Sequence, residues 1–278
     1  MPTFNARLQQ AFNCNHSLLC VGLDPDPAQL PIADVLRFNQ EIIDATADQV
    51  CAYKPNLAFY EALGLPGMQA LELTLRHLRQ AAPQALIIGD AKRGDIGPSG
   101  QAYARAMYQV WDFDAVTVNA WGGRDTVEPF LADASRGVFI WCRGSNPGAA
   151  DLQDLMVDSP FGQVPVYTHL ARSSSQWDRH GNLGLVVGAT YPEQLGAVRR
   201  LFPEVPLLIP GVGTQGGDLE AAVLQGVSAG GRQAIINSSR GVIYASRDAD
   251  FARAARREAT RLRESINQIL EKAGLGWP

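Results

Sequence analysis

Eight short apolar runs, separated by helix-like stretches, constrain the fold of this chain more than any other feature of its sequence. They are LLCVGLD at 18–24, VCAYKPN at 50–56, ALIIGDAK at 85–92, DAVTVNA at 114–120, GVFIWCRG at 137–144, LGLVVGAT at 183–190, PLLIPGVG at 206–213 and QAIINSSRG at 233–241. Between them lie segments with helical character: Val35–Ala47, Met68–Ala82, Pro98–Val110, Arg124–Asp133, Tyr191–Leu201 and Asp218–Gln225. Parallel strands covered on both faces read as continuous apolar runs, and strands that alternate with helices build βαβ units. Eight such units in about 250 residues predict an α/β fold, a (β/α)8 TIM barrel. An open, doubly wound sheet is the competing arrangement.

The remaining segments extend this plan. Phe4, Leu8 and Phe12 share one helical face, which predicts a short helix ahead of the first strand. Residues 248–272 predict a charged C-terminal helix that closes the barrel. The connection at about 144–182 is unusually long, with NPGAADLQDLMVDSPFG followed by the helix-like VPVYTHLARSSSQW, and connections of this length tend to carry function. No linker-like shift in composition interrupts the chain, so residues 1–278 are expected to form one domain.

Composition excludes several classes of function. With 46% hydrophobic and 19% charged residues the chain is globular rather than disordered. A net charge of -4 argues against a broad basic footprint for nucleic acid or an anionic membrane. No apolar run approaches the ~18 residues of a membrane-spanning helix. The opening MPTFNARLQQAFNCNHS lacks the apolar core of a signal peptide. Cys14, Cys20, Cys51 and Cys142 form no CxxC pair and are expected to be reduced, which suits a cytoplasmic protein. His16, His77, His169 and His180 lack metal-ligand spacing, so no metal site is expected. The arginines of the final helix are interspersed with acids and read as a solvated face.

The segment GDAKRGDIGPSG at 89–100 carries the densest chemistry. Asp90 and Lys92 are two residues apart, so strand alternation points both into the barrel, and Asp95 follows in the loop. Lys54 closes the second run in AYKPN and Asp24 closes the first in VGLDPDP, both at the strand ends where barrel active sites sit. Alternating ammonium and carboxylate groups keep each other ionised. A fixed carboxylate set against a negative group of a substrate, beside an ammonium that donates a proton where charge develops, meets the needs of a decarboxylation without a cofactor. A purely structural ion-pair network at the barrel rim is the alternative reading.

A second segment, IPGVGTQGGD at 209–218, contains a literal G-x-G-x-x-G. As a dinucleotide fingerprint it is misplaced, because it follows the seventh run and the 231–241 segment lacks the acidic residue expected about 20 positions on. The loop after the seventh strand of a barrel commonly binds phosphate through backbone N–H groups, and Arg240 in the eighth segment can grip a phosphate with two hydrogen bonds. Glycines that serve only tight turns remain the alternative.

The DAKRGDI at 90–96 resembles the Asp-x-Lys-x-x-Asp signature of the orotidine 5'-phosphate decarboxylase family. VGLDPDP, YKPNLAFYEALG, SNPG, IPGVGTQGGD and SSRGVIYAS follow the family order over about 16–247, and the extra sequence after strand five is similar to the longer bacterial branch. The resemblance implies a barrel that forms a homodimer with shared active sites, takes a small nucleotide as substrate and uses neither metal nor organic cofactor. It implies that Lys92 protonates C6 of the pyrimidine as carbon dioxide leaves, flanked by Asp90 and Asp95, with Asp95 reaching across the dimer. Lys54 would bridge the ribose and Asp90, Asp24 would bind the ribose, and Ile96 and Ser99 would complete the partner's site. Ser145 would read the pyrimidine edge. Gln215 and Arg240 would hold the phosphate, with Gly216 and Gly217 supplying backbone donors. At Asn119, in TVNAWGG, many relatives carry histidine. A Mg2+-dependent sugar-phosphate decarboxylase and a non-catalytic nucleotide-binding barrel are the competing functions.

Overall fold

The computed structural model describes residues 2–213 and 216–278. Eight parallel strands close into a barrel: β1 (Leu19–Leu23), β2 (Ala52–Pro55), β3 (Leu86–Arg93), β4 (Ala115–Val118), β5 (Gly137–Arg143), β8 (Leu183–Val187), β9 (Leu207–Pro210) and β10 (Ala234–Ser238). Every apolar run singled out in the sequence contributes one strand. Leu19 of β1 pairs with Ile236 of β10, and this seam closes the sheet and overturns the open-sheet alternative.

Strand interiors are apolar because both faces are covered. All five residues of β1, of β8 and of β10 are buried. Gly184 is needed beside its pairing partner Phe139 on β5: a Cβ there would meet the Phe139 ring at 2.5 Å. The helices begin where short polar side chains can take an orphan N–H. Thr3 caps Phe4–Asn15, Asp34 caps Val35–Thr46 and Asp218 caps Leu219–Gly226. The N-terminal helix stoppers the amino end of the barrel, where Phe4 packs edge-on against Phe139. The final helix, Phe251–Lys272, buries Phe251, Ala255, Leu262, Ile266 and Leu270 and leaves its arginine-rich face in solvent.

Several elements differ from the sequence expectation. The helix expected from Met68 starts at Gly64, and a separate short helix, Leu57–Glu61, precedes it. The helix expected over 98–110 ends at Arg105 and continues as a π-helical turn, Ala106–Val110. The 124–133 segment splits into a 3-10 turn, Arg124–Thr126, and one α-helical turn, Glu128–Leu131. The long connection holds the helix Val166–Ser175 and also an antiparallel hairpin, β6 (Met156–Ser159) with β7 (Gly162–Pro165). Both strands of that hairpin are largely solvent-exposed, so no apolar alternation marks them in the sequence.

Candidate active site

At the carboxyl end of the barrel a cavity of about 240 Å³ is lined by residues on or just after all eight barrel strands. Among them are Asp24, Lys54, Asp90, Lys92, Ser145 and Arg240, so fold closure gathers residues that lie up to the full span of the barrel apart in sequence.

Asp90 is the hub. Lys54 donates to its Oδ2 at 2.8 Å, and Lys92 donates to its Oδ1 at 2.6 Å. Thr117 Oγ1 also donates to Oδ1, at 2.9 Å. Burial alone would push the Asp90 carboxyl up, but the ammoniums of Lys54 and Lys92 outweigh it and hold it far below the ordinary carboxylate range. Burial likewise pulls Lys54 down, and Asp90 and Asp24 together reverse this and hold it above the ordinary lysine value. Both groups are therefore charged across the physiological range. The two lysines differ in access: the Lys54 side chain is 5% exposed, whereas that of Lys92 is 41% exposed at the cavity mouth.

Simple strand alternation is not what brings Lys92 to Asp90. The β3–β4 pairing slips between Gly89 and Arg93, and Lys92 adopts a left-handed backbone with φ 48°. Such a bulge re-aims a side chain at the sheet rim. Gly94 follows because the chain there runs against β4's exit: a Cβ would meet the Asn119 carbonyl oxygen at 2.1 Å.

Two pocket atoms are buried acceptors without a hydrogen-bond partner among the described residues: Asp24 Oδ1 and Asn237 Oδ1. Buried polar atoms left unpaired cost stability, so these two suit the hydroxyl or N–H groups of a ligand. The Asp24 backbone is fixed by the Tyr244 hydroxyl, which donates to the Asp24 carbonyl at 2.9 Å. Arg240 is exposed, and its guanidinium has neither ion pair nor hydrogen-bond partner among the described residues, which suits it to an anion.

The wall formed by Gly144, Ser145 and Asn146 is anchored from behind. Arg143 is fully buried, donates to both carboxylate oxygens of Asp154 at 2.8 and 2.9 Å, and lies over the Tyr191 ring at 4.0 Å. Its Nη1 donates to the Gly144 carbonyl, and the Gly144 N–H donates to Gln153 Oε1. Thr190 holds the Ser145 carbonyl at 2.9 Å. The long connection thus braces one side of the cavity.

Other sequence candidates sit elsewhere. Asp95, Ile96 and Ser99 are exposed and do not line the cavity, and Asp95 Oδ1 accepts the Ile96 N–H at 2.8 Å. Gly216 and Gly217 also lie outside the lining; their N–H groups donate within the loop, to the carbonyls of Gly213 and Gly211. Gly211, Gly213 and Gly216 all take positive φ, so these glycines meet the demands of the turn itself. Gln215 falls outside the described residues. Asn119 does not line the cavity, and its Oδ1 accepts the Trp121 N–H. No cluster of three or more His, Cys, Asp or Glu suited to a metal ion occurs among the described residues.

The cavity also contains residues that the sequence reading passed over: Asn56, Thr117, Trp141, Asn146, Asn237 and Ser239. Thr117 and Asn237 do leave a trace. Each is a polar residue near the carboxyl end of a run whose middle is apolar, as Lys54 is.

A family model described as Orotidine 5'-phosphate decarboxylase / HUMPS family matches residues 17–255. A protein named orotidine 5'-phosphate decarboxylase from Dehalococcoides mccartyi is 47% identical over 270 residues, covering 97% of this chain and 99% of that one. The solved structure of Leishmania donovani OMP decarboxylase superposes with a TM-score of 0.82 at 36% identity, over 96% of this chain and 98% of that one. Leishmania donovani UMP synthase gives the same TM-score at 37% identity; 96% of this chain is covered but only 55% of that longer one.

Proposed function

This chain belongs to the orotidine 5'-phosphate decarboxylase family of carboxy-lyases, and on that footing we propose that it converts orotidine 5'-phosphate to uridine 5'-phosphate and carbon dioxide in pyrimidine biosynthesis, with Lys92 as the proton donor and no metal or cofactor. The observation that carries this reading is the convergence of Lys54, Asp90 and Lys92 within hydrogen-bond distance at the mouth of the barrel. The C6–carboxylate bond breaks with its electron pair left on C6, and the Lys92 ammonium delivers a proton to that carbon. Carbon dioxide departs, and the neutral lysine regains its proton from solvent. The half-exposed ammonium faces the ligand space, while the buried Lys54 keeps Asp90 charged beneath it.

Remote contacts supply the rest. Arg240, with Gln215 and the surrounding loop, takes the phosphate; Asp24 takes the ribose; Ser145 reads the base. Binding energy from these non-reacting parts holds the substrate carboxylate against a fixed negative charge, a contact relieved as carbon dioxide leaves. We assign that charge to Asp95 from a second copy. Asp95, Ile96 and Ser99 stand exposed on the loop after β3, outside their own cavity, as residues serving a neighbouring site would. The 278 residues act as one domain of a homodimer. All four cysteines are free and no described helix is long and apolar enough to cross a membrane, which suits the reducing cytoplasm.

The test is to incubate the protein with orotidine 5'-phosphate in excess EDTA and follow loss of the orotate ultraviolet absorbance, identifying the product. Rapid formation of uridine 5'-phosphate supports the proposal. Tight nucleotide binding without conversion points to a non-catalytic barrel, and neither binding nor conversion points to sugar phosphates with Mg2+. For the shared site, mixed Asp95→Ala and Asp24→Ala subunits should recover part of the activity; no recovery after demonstrated subunit exchange places Asp95 elsewhere.

A further inference from the structure

We propose that Thr117 is a positioning residue for the decarboxylation, holding the Lys92 backbone and the Asp90 carboxylate in one fixed relation. Thr117 lies on β4 and is 2% exposed. Its Oγ1 accepts the Lys92 backbone N–H at 3.0 Å and donates to Asp90 Oδ1 at 2.9 Å. The hydroxyl has one proton to give. A backbone N–H can only donate and an ionised carboxylate can only accept, so the direction of both bonds is fixed.

The need for this hydroxyl comes from the bulge. Along β3 and β4, Gly89 pairs with Val116 and Arg93 pairs with Val118, so four steps on one strand face two on the other. Lys92 sits inside that slip with φ 48°, a conformation that lysine adopts only where its surroundings impose it. Its N–H has lost a ladder partner and takes the Thr117 side chain instead. The same atom then reaches the carboxylate that receives the Lys92 ammonium at 2.6 Å. Backbone and side chain of Lys92 are thereby tied to the same Asp90 oxygen. Without the hydroxyl, the strained backbone is free to relax towards extended geometry and to swing the ammonium away from C6. A misplacement of about 1 Å can cost roughly 100-fold in rate.

This inference rests on the reading of Lys92 as proton donor, and the experiment separates the two. Thr117→Val, Thr117→Ala and Thr117→Ser are compared with Lys92→Ala for single-turnover decarboxylation and for uridine 5'-phosphate affinity. Turnover should follow the hydroxyl: Ser within about threefold of the parent protein, Val and Ala lower by roughly 10–100-fold, and nucleotide affinity within about threefold in all three. Lys92→Ala inactive with Thr117→Val fully active overturns the positioning role alone. Lys92→Ala active overturns the parent reading. If Val fails to fold, the contrast between Ser and Ala decides. A Ser variant as slow as Ala, with normal nucleotide affinity, assigns the effect to packing of the lost methyl and also overturns the proposal.

Discussion

The two ends of the barrel each hold a buried aspartate between two cations, yet they are built for different purposes. At the amino end, Asp114 is 1% exposed and receives Arg7, Arg79 and the backbone N–H of Ile87. Arg79 donates twice, to Oδ2 at 2.8 Å and to Oδ1 at 3.1 Å. At the carboxyl end, Asp90 receives two lysines and a threonine hydroxyl and borders a cavity. Guanidinium groups are rigid forks that saturate a carboxylate and do not lose their proton in proteins. An ammonium is a point charge on a flexible stem, with further donors to spare and a proton it can release. The choice of cation, more than the presence of an ion pair, separates the end that closes the barrel from the end equipped for chemistry.

The largest effect expected from breaking this contrast is on turnover. Lys92→Ala should slow decarboxylation by about 1,000-fold or more, as loss of a general acid does, while the melting temperature moves little because the side chain is 41% exposed. Near-normal turnover would remove Lys92 as donor. At the opposite end, Asp114→Asn should leave kcat per folded molecule unchanged but cost about 3 kcal/mol of stability, because it strips a buried partner from two arginines. Urea titration reads this directly, and an unchanged midpoint refutes the structural assignment. Arg240→Ala should weaken phosphorylated ligands by roughly 10–100-fold and leave phosphate-free orotidine nearly unaffected, as loss of a charge-assisted hydrogen bond pair predicts. Equal losses for both ligands contradict the phosphate role.

The smallest expected effect is of pH. The Asp90 carboxyl is held down in the folded protein, so its stabilisation is present above the unfolded carboxylate value of about 4 and fades only as pH falls below it. Lys54 is held up, so its stabilisation is complete below about 10 and fades only as pH rises beyond. Between about pH 5 and 9 this pair should add no slope to stability. A midpoint near pH 7 that disappears in Asp90→Asn would show that the pair is not ionised throughout.

Much of the site could be read from the chain because barrel chemistry gathers at strand ends. Lys54, Asp90 and Asp24 each terminate an apolar run, and a closed parallel sheet brings such termini to one rim. Thr117 and Asn237 obey the same rule but are uncharged, and a neutral polar residue beside a run of Ala, Val and Ile carries little signal by itself. The hairpin at 156–165 was illegible for a different reason: it is held by backbone pairing between two exposed strands, which leaves no apolar period. Arg143, at the end of the fifth apolar run, carries no mark in the sequence that sets it apart from a cavity cation; in the structure it turns to Asp154 and the Gly144 carbonyl.

The sequence alone determined the number of barrel strands, their order along the chain and the rim on which the ionisable groups meet. Those properties follow from local apolar patterning and from the polarity of parallel strands. Only the tertiary structure decided the register slip that turns Lys92 onto Asp90, the pairing of Arg143 with Asp154, the open guanidinium of Arg240 and the exposure of Asp95 away from its own cavity. Each of these depends on which distant backbone comes alongside once the barrel closes. Local pattern says where a side chain stands along the chain; its partner is fixed by long-range packing.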